Sequence, residues 1–328
     1  MTLIYVFLII SLFYFLGKFA EILIVNVKKI AEKLNVKIFI IGIILGILTT
    51  IPELFLGINS ITKGLNSISL GNLFGGNIII LSLLFGISLI LNKEIKTDGD
   101  LKNIMPNLIF LLIPFLVGLK GSLTIYNGIT FIFIYFLIIF YINKRTNITV
   151  DAVKIRDEEK KNIISYIKDK ISFIKNKNFL NEIGLSIVSV ALLIIISNII
   201  MSLSGYILEE FNISKFFIGL IIFSLGTNLP ELIIIIKSSK NNNSELSMNH
   251  LIGSAMANVF ILSLLTLFSK FNININITYI TTLIFLTILI ILLSIFYKTN
   301  KSFSRREGFI FLFIYIIFLI TQILFAIF

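Results

Sequence analysis

Gly226-Thr227-Asn228-Leu229-Pro230-Glu231-Leu232 is a polar interruption in an otherwise apolar run from 215 to 237. A near copy, Thr49-Thr50-Ile51-Pro52-Glu53-Leu54, interrupts the apolar run 38–61. The two stretches are 178 residues apart. The same offset relates Leu73-Phe74-Gly75-Gly76 to Leu251-Ile252-Gly253-Ser254. The register therefore holds without a gap across two apolar segments and the loop between them. Chance matches between Ile- and Leu-rich segments are common. T-x-x-P-E-L followed at a fixed distance by L-x-G is not such a match, and it marks an internal repeat.

The composition says where the repeat resides. Of 328 residues, 57% are hydrophobic and only 14% charged, with a mean hydropathy of +1.03. Soluble domains are roughly a quarter charged, so a soluble globular protein is excluded. Intrinsic disorder is excluded too, because it requires low hydrophobicity. The absence of cysteine removes disulfides, thiol catalysis and thiolate metal sites. A single histidine, His250, removes a His-rich zinc site.

A membrane helix needs about 20 apolar residues, and polar breaks divide this chain into ten apolar segments. They run 3–24, 38–61, 68–91, 104–119, 122–142, 182–208, 215–237, 245–268, 273–297 and 307–327. The fourth is short and carries Pro106 and Pro114. Met1–Ile10 has no basic region, and its apolar run continues past Phe15 without a small-residue cleavage site. It reads as a retained helix rather than a cleaved signal. The expected fold is an all-α polytopic membrane protein. Its ten transmembrane helices form two inverted five-helix repeats, 1–142 and 182–328, joined by a linker at 143–181.

A net charge of +11 would suggest nucleic acid on a soluble protein; here the location of the charges matters more. Twenty-three of the 28 basic residues fall in the odd-numbered loops or at their edge, four in the even-numbered ones, and Lys18 in the first span. The positive-inside rule then puts both termini outside a cell membrane and the 143–181 loop in the cytoplasm. That loop holds ten basic and five acidic residues. It reads as a solvated linker near lipid headgroups, since its acids lack the spacing of a calcium loop. Lys18 and Glu21 are three apart near the cytoplasmic half of the first span and read as snorkelling to the interface.

Five spans per half is an odd number, so the second copy must enter the membrane from the opposite side. Inverted-topology repeats point to secondary transporters with a site at the midplane. Glu53 and Glu231 lie mid-span, where a carboxylate costs several kcal/mol or more and marks function. Thr49 and Thr227 lie four residues earlier, on the same helix face. Pro52 and Pro230 have no N–H, so the carbonyls of Leu48 and Gly226 lose their helical donors and a bend is expected. Carboxylates, hydroxyls and freed carbonyls are ligands for hard cations such as Ca²⁺ and Na⁺. Gly75-Gly76 and Gly253-Ser254-Ala255 permit close helix approach. Ser254 and Asn258 share a face, while Asn72 and Asn77 read either as site residues or as packing amides.

These residues resemble the two α-repeats of the calcium/cation antiporter superfamily, especially its prokaryotic sodium/calcium exchanger family. That family has ten helices in two inverted fives. Each repeat carries a G-T-S-L-P-E helix followed by a G-N-x-x-G-S-N-x-x-(N/D) helix. The second copy here reads Gly226-Thr227-Asn228-Leu229-Pro230-Glu231, then Gly253-Ser254 and Asn258. The first reads Thr49-Thr50-Ile51-Pro52-Glu53, then Gly71-Asn72-Leu73-Phe74-Gly75-Gly76-Asn77.

The resemblance implies a secondary active antiporter rather than an enzyme. It would exchange Ca²⁺ for Na⁺ by alternating access, with both ions as cargo and no organic cofactor. Glu53 and Glu231 would be the paired Ca²⁺ ligands, and Thr49 and Thr227 would add carbonyl oxygens. Thr50, Asn228, Ser254 and Asn258 would line flanking Na⁺ sites. The first and sixth helices would slide or rock against the rest. The expected partners are the transported cations and membrane lipid, with no nucleic acid and no obligate protein partner.

The chain departs from the pattern at five positions. Gly76 stands where the family has Ser, Ile80 where it has Asn or Asp, and His250 where it has the Asn of G-N. Asn228 replaces Ser, and Asn258 stands where many members carry Asp. These departures motivate a Ca²⁺/H⁺ or other divalent/H⁺ antiporter as the alternative, with His250 as a candidate proton group beside a plainer role as a polar residue near the helix mouth. A non-coupled descendant is a further class. An intramembrane enzyme is the last, and it would need His250 within hydrogen-bond reach of Ser254.

Overall fold

The computed structural model describes residues 2–33, 50–145, 177–211, 214–240 and 244–327. The first half contains α1 (Thr2–Lys33), α2 (Ile51–Thr62), α3 (Asn66–Asn92), α4 (Leu101–Gly118) and α5 (Ile125–Arg145). The second contains α6 (Lys177–Phe211), α7 (215–227), α8 (Leu229–Lys240), α9 (Ser244–Phe268), α10 (Ile277–Lys298) and α11 (Arg305–Ile327). Among the described residues, nine helical stretches are long and apolar enough to cross a membrane, and α7 with most of α8 counts as one of them. The chain is thus an all-α polytopic membrane protein. Pro106 and Pro114 sit inside an unbroken α4. Helices α5 and α6 extend into the stretch read as linker, whose residues 146–176 lie outside the described part.

Two short antiparallel ladders tie the halves together. β1 (Glu94–Lys96), after α3, pairs with β4 (Ser302–Ser304), before α11. β2 (Ser122–Leu123), before α5, pairs with β3 (Phe271–Asn272), after α9. Shifting Glu94 by 178 lands on Asn272, in β3. Each ladder therefore joins the strand that follows the Gly-containing helix of one half to a strand of the other half. Their inward residues Ile95, Phe303, Leu123 and Phe271 are all buried.

The apolar side chains fall into two groups. The larger gathers α3, α4, α5, α9, α10 and α11. The smaller is built on α1 and α6, with a few residues of α2, α3 and α7. Helix α6 holds α2 through Asn59, whose amide donates to the Ser197 hydroxyl at 2.7 Å. Helix α1 meets the broken helix of the other half: a Cβ on Gly17 would lie 3.3 Å from the Pro230 ring. Phe13 stacks edge-on to Phe223 at 5.3 Å and covers Gly226.

Helices α3 and α7 cross in backbone contact. A Cβ on Gly71 would lie 2.8 Å from the Leu220 nitrogen and closer still to the Phe216 carbonyl oxygen. A Cβ on Gly219 would strike the Ile68 carbonyl. Lipid tails give no hydrophobic drive for helices to associate, so this close fit of small residues is what holds the crossing.

The C-terminal carbonyls of α4 also need donors. The Tyr279 hydroxyl of α10 supplies one to the Phe115 carbonyl at 2.7 Å. The Phe74 and Phe115 rings stack beside it at 3.6 Å. Tyr279→Phe is expected to cost about 1 kcal/mol of stability, read as a lower unfolding midpoint in detergent. An unchanged midpoint would show that the carbonyl finds another donor.

Candidate cation site

The two P-E-L motifs adopt the same backbone. Thr50 has φ −99° and ψ 12°, and Asn228 has φ −87° and ψ 8°. Thr50 precedes α2 and Asn228 separates α7 from α8; each stands two residues ahead of a proline, and each starts a helix through the same hydrogen bond. Leu54 N–H donates to Thr50 O and Leu232 N–H to Asn228 O, both at 3.2 Å. Proline is suited to the start of a helix, where its missing N–H costs nothing. At Pro230 the expected bend is thus a break, and Glu53 and Glu231 fall in the first turns of α2 and α8. A helix N-terminus carries partial positive charge, which favours a carboxylate there.

Both glutamates are buried, each with 1% of its surface exposed. They are near enough for the charge of Glu53 to act on Glu231. Neither has a basic partner among the described residues; the ion pair there, Lys18 to Glu21 at 3.2 Å in α1, is partly exposed. Oε2 of Glu53 and both oxygens of Glu231 make no hydrogen bond there. Two adjacent buried carboxylates repel and lack water, so an uncompensated pair is strongly unfavourable.

Buried hydroxyls and amides pair α3 with helices of the other half. The Thr227 hydroxyl lies beside the Glu53 carboxylate and donates to Asn72 Oδ1 at 3.1 Å. The Asn228 amide donates to the Ser224 carbonyl at 2.8 Å. The Asn258 amide donates to Asn77 Oδ1 at 3.2 Å. The Oδ1 atoms of Asn228 and Asn258 and the Ser254 hydroxyl are buried and make no hydrogen bond among the described residues. Buried polar atoms are almost always satisfied, and these oxygens, like the two carboxylates, are of the donor type that holds a hard cation.

Of the residues singled out by sequence, Glu53, Glu231 and Thr227 lie together, while the Asn228 and Asn258 amides meet beside Gly76, where a Cβ would lie 3.3 Å and 2.7 Å from their Nδ2 atoms. Ser254 lies one turn before Asn258 on α9, fully buried. Thr50 is buried at the start of α2. Thr49 lies outside the described residues. Asn72 and Asn77, which from sequence read either as site residues or as packing amides, are partners of Thr227 and Asn258. His250 Nε2 and Ser254 Oγ each make no hydrogen bond among the described residues, so no base–nucleophile contact links them.

Comparison with known proteins bears on this arrangement. Residues 4–143 and 181–324 match the family model described as sodium/calcium exchanger protein. The chain belongs to that family. Members of the sodium/calcium exchanger protein family are membrane cation antiporters, and cation antiport is the activity this membership carries. Over 345 residues it is 26% identical to the sodium/calcium exchanger MaX1 of Methanosarcina acetivorans, covering 94% of this chain and 95% of that one. It is also 26% identical over 295 residues to the uncharacterized membrane protein MJ0091 of Methanocaldococcus jannaschii, covering 88% of each. Its fold matches that of the sodium-calcium exchanger NCX_Mj soaked with Na⁺ and Sr²⁺, with a TM-score of 0.62 at 22% identity over 96% of this exchanger-family chain and 97% of that one. Native YfkE has the same fold, with a TM-score of 0.62 at 16% identity over 98% and 92%.

Proposed function

We propose that this chain is a secondary active antiporter that exchanges Ca²⁺ for Na⁺ across the cell membrane. The two cations compete for one midplane site at Glu53 and Glu231, which is exposed to each face in turn. The observation that carries this reading is the pair of buried glutamates in the first turns of α2 and α8, without a basic partner among the described residues. Competition couples the fluxes, because two carboxylates cannot neutralise both loads at once. Thr49 and Thr227 add oxygen ligands to the centre, and Thr50, Asn228, Ser254 and Asn258 serve the flanking positions.

The reading rests on ten helices in two inverted halves, 1–142 and 182–328, with 143–181 as a cytoplasmic linker and both termini outside. The matched backbone at Thr50 and Asn228 supports it, as do the two cross-half ladders. The ladders put the loops after α3 and α10 at one end of the bundle and those after α4 and α9 at the other. That matches the segregation of basic residues. The separate α1–α6 group fits a unit that moves against the rest.

The test is Ca²⁺ uptake into sodium-loaded proteoliposomes against sodium-free controls at fixed pH. Uptake that needs internal sodium is expected. Gly76 and Ile80 remove oxygen donors from the first repeat and favour a second reading, Ca²⁺/H⁺ antiport on the same site. Uptake driven by a pH gradient without sodium would select that reading. Calcium flux with neither gradient would indicate uncoupled leak and contradict both.

A further inference from the structure

The seam between α2 and α6 is part apolar and part polar. Leu56 of α2 gathers with Leu193, Ile196 and Ile200 of α6. Apolar contact has no direction, so a shift along the helix axis exchanges one such neighbour for another. The polar contacts are directional. The Asn59 amide donates to the Phe55 carbonyl of its own helix at 3.0 Å and to the Ser197 hydroxyl of α6 at 2.7 Å. Ser197 passes its own hydrogen to the Ile194 carbonyl at 3.0 Å. One turn farther along α2, the Lys63 ammonium donates to the Asn198 carbonyl at 3.0 Å and to the Ser202 hydroxyl. Ser202 donates to that same carbonyl at 2.9 Å.

The same end of α2 is fastened to α3. Leu65 N–H donates to the Ser60 carbonyl at 2.8 Å and Ile68 N–H to the Leu65 carbonyl at 2.9 Å, across a turn with Gly64 at φ +65°. Helix α3 is in turn held to α7 by backbone contact at Gly71 and Gly219. Helix α2 therefore belongs with α3 and α7, and Asn59 and Lys63 reach from that part of the bundle to the α1–α6 group.

Resting on the exchanger reading above, we propose that Asn59 and Lys63 of α2, with Ser197, Asn198 and Ser202 of α6, form a polar latch that opens each time the α1–α6 unit moves. A displacement of one helical turn, about 5.4 Å, carries every one of these donors away from its acceptor. Ser197 is fully buried, so water does not replace the bond that it loses. The latch holds one arrangement of the two units, and its release is a step of each exchange cycle. Because Glu53 sits on the same short helix as Asn59 and Lys63, the latch also fixes where that carboxylate stands relative to α6.

The test uses the full chain in proteoliposomes, with radiolabelled calcium exchange as the readout. The protein has no cysteine, so thiol reagents act only where cysteine is introduced. Asn59→Cys with Ser197→Cys is one bridging pair, and Lys63→Cys with Ser202→Cys is a second in case the first folds poorly. A short bis-methanethiosulfonate reagent joins each pair, and a reductant releases it. Bridging is expected to lower exchange roughly tenfold or more, with recovery on reduction. Glu94→Cys with Ser304→Cys bridges the β1–β4 ladder, away from the seam, and is expected to leave exchange unchanged. Undiminished exchange in a fully bridged α2–α6 pair would overturn the proposal, because α2 would then ride with α6. Equal loss from the ladder pair would also contradict it, since the part taken as fixed would be moving. If the parent exchanges no calcium, the exchanger reading itself fails, a result distinct from a bridged protein that still exchanges.

Discussion

Glu231→Gln lowers calcium exchange about a hundredfold, equivalent to ~2.8 kcal/mol, and Glu53→Gln does the same. Gln keeps the shape of the side chain but removes half of the site's negative charge and turns an amide NH₂ toward the cation. Calcium affinity in oxygen-ligand sites follows the number of charged ligands. Folding is expected to survive. In chelator-treated buffer the variants should unfold at the same midpoint as the parent or higher, because burying one carboxylate beside another is costly. Calcium should raise the midpoint of the parent alone, by roughly 2.7 kcal/mol of stability at a concentration 100 times its Kd. Exchange that persists in both variants would remove the glutamates from the site. Loss of exchange together with loss of folding would instead make them structural.

The second large effect lies at the α3–α7 crossing. Gly75→Ala places a Cβ against the Leu220 carbonyl oxygen and 2.8 Å from the Ser224 hydroxyl. Overpacking against side chains costs about 1–3 kcal/mol, and a backbone carbonyl yields less than a side chain does. The helices must separate, and the Thr227–Asn72 hydrogen bond spans the same pair. A lower unfolding midpoint and at least roughly a tenfold loss of exchange are expected, more than the ~1.4 kcal/mol that one decade represents. Gly184 on α6 is the control: among the described residues nothing beyond its own helix backbone and chain neighbours lies within 4 Å of a Cβ there, so Gly184→Ala should leave both readouts unchanged. Equal behaviour of the two variants would show that the crossing is not tight.

Much of this was legible in the residues themselves. The 178-residue offset between the P-E-L motifs reappears as matched φ and ψ at Thr50 and Asn228. Proline dictates it locally: without an N–H, each proline favours a helix start over a helix interior. Nine of the spans were readable among the described residues, because a membrane helix is set by length and apolarity alone; residues 38–49 of the second lie outside them.

Less visible were the partners. A lone Asn in an apolar helix carries no mark of what it faces, so Asn72 and Asn77 could not be told from packing amides. The π-helical turns at Ile80–Leu84 and Gly219–Phe223 have no distinguishing composition. The loss of Ser at Gly76 could be read only as a missing ligand. That the Asn258 and Asn228 amides fill the gap is a fact of packing between residues far apart in sequence.

The account's central claim is that one cation site is made by Glu53 and Glu231 together. Equilibrium binding of radiolabelled calcium to the detergent-purified protein, titrated with sodium, tests it most directly. The account predicts saturable calcium binding by the parent, displacement by sodium, and no measurable binding by the Glu53→Gln, Glu231→Gln double variant. Undiminished calcium binding by a folded double variant would contradict it.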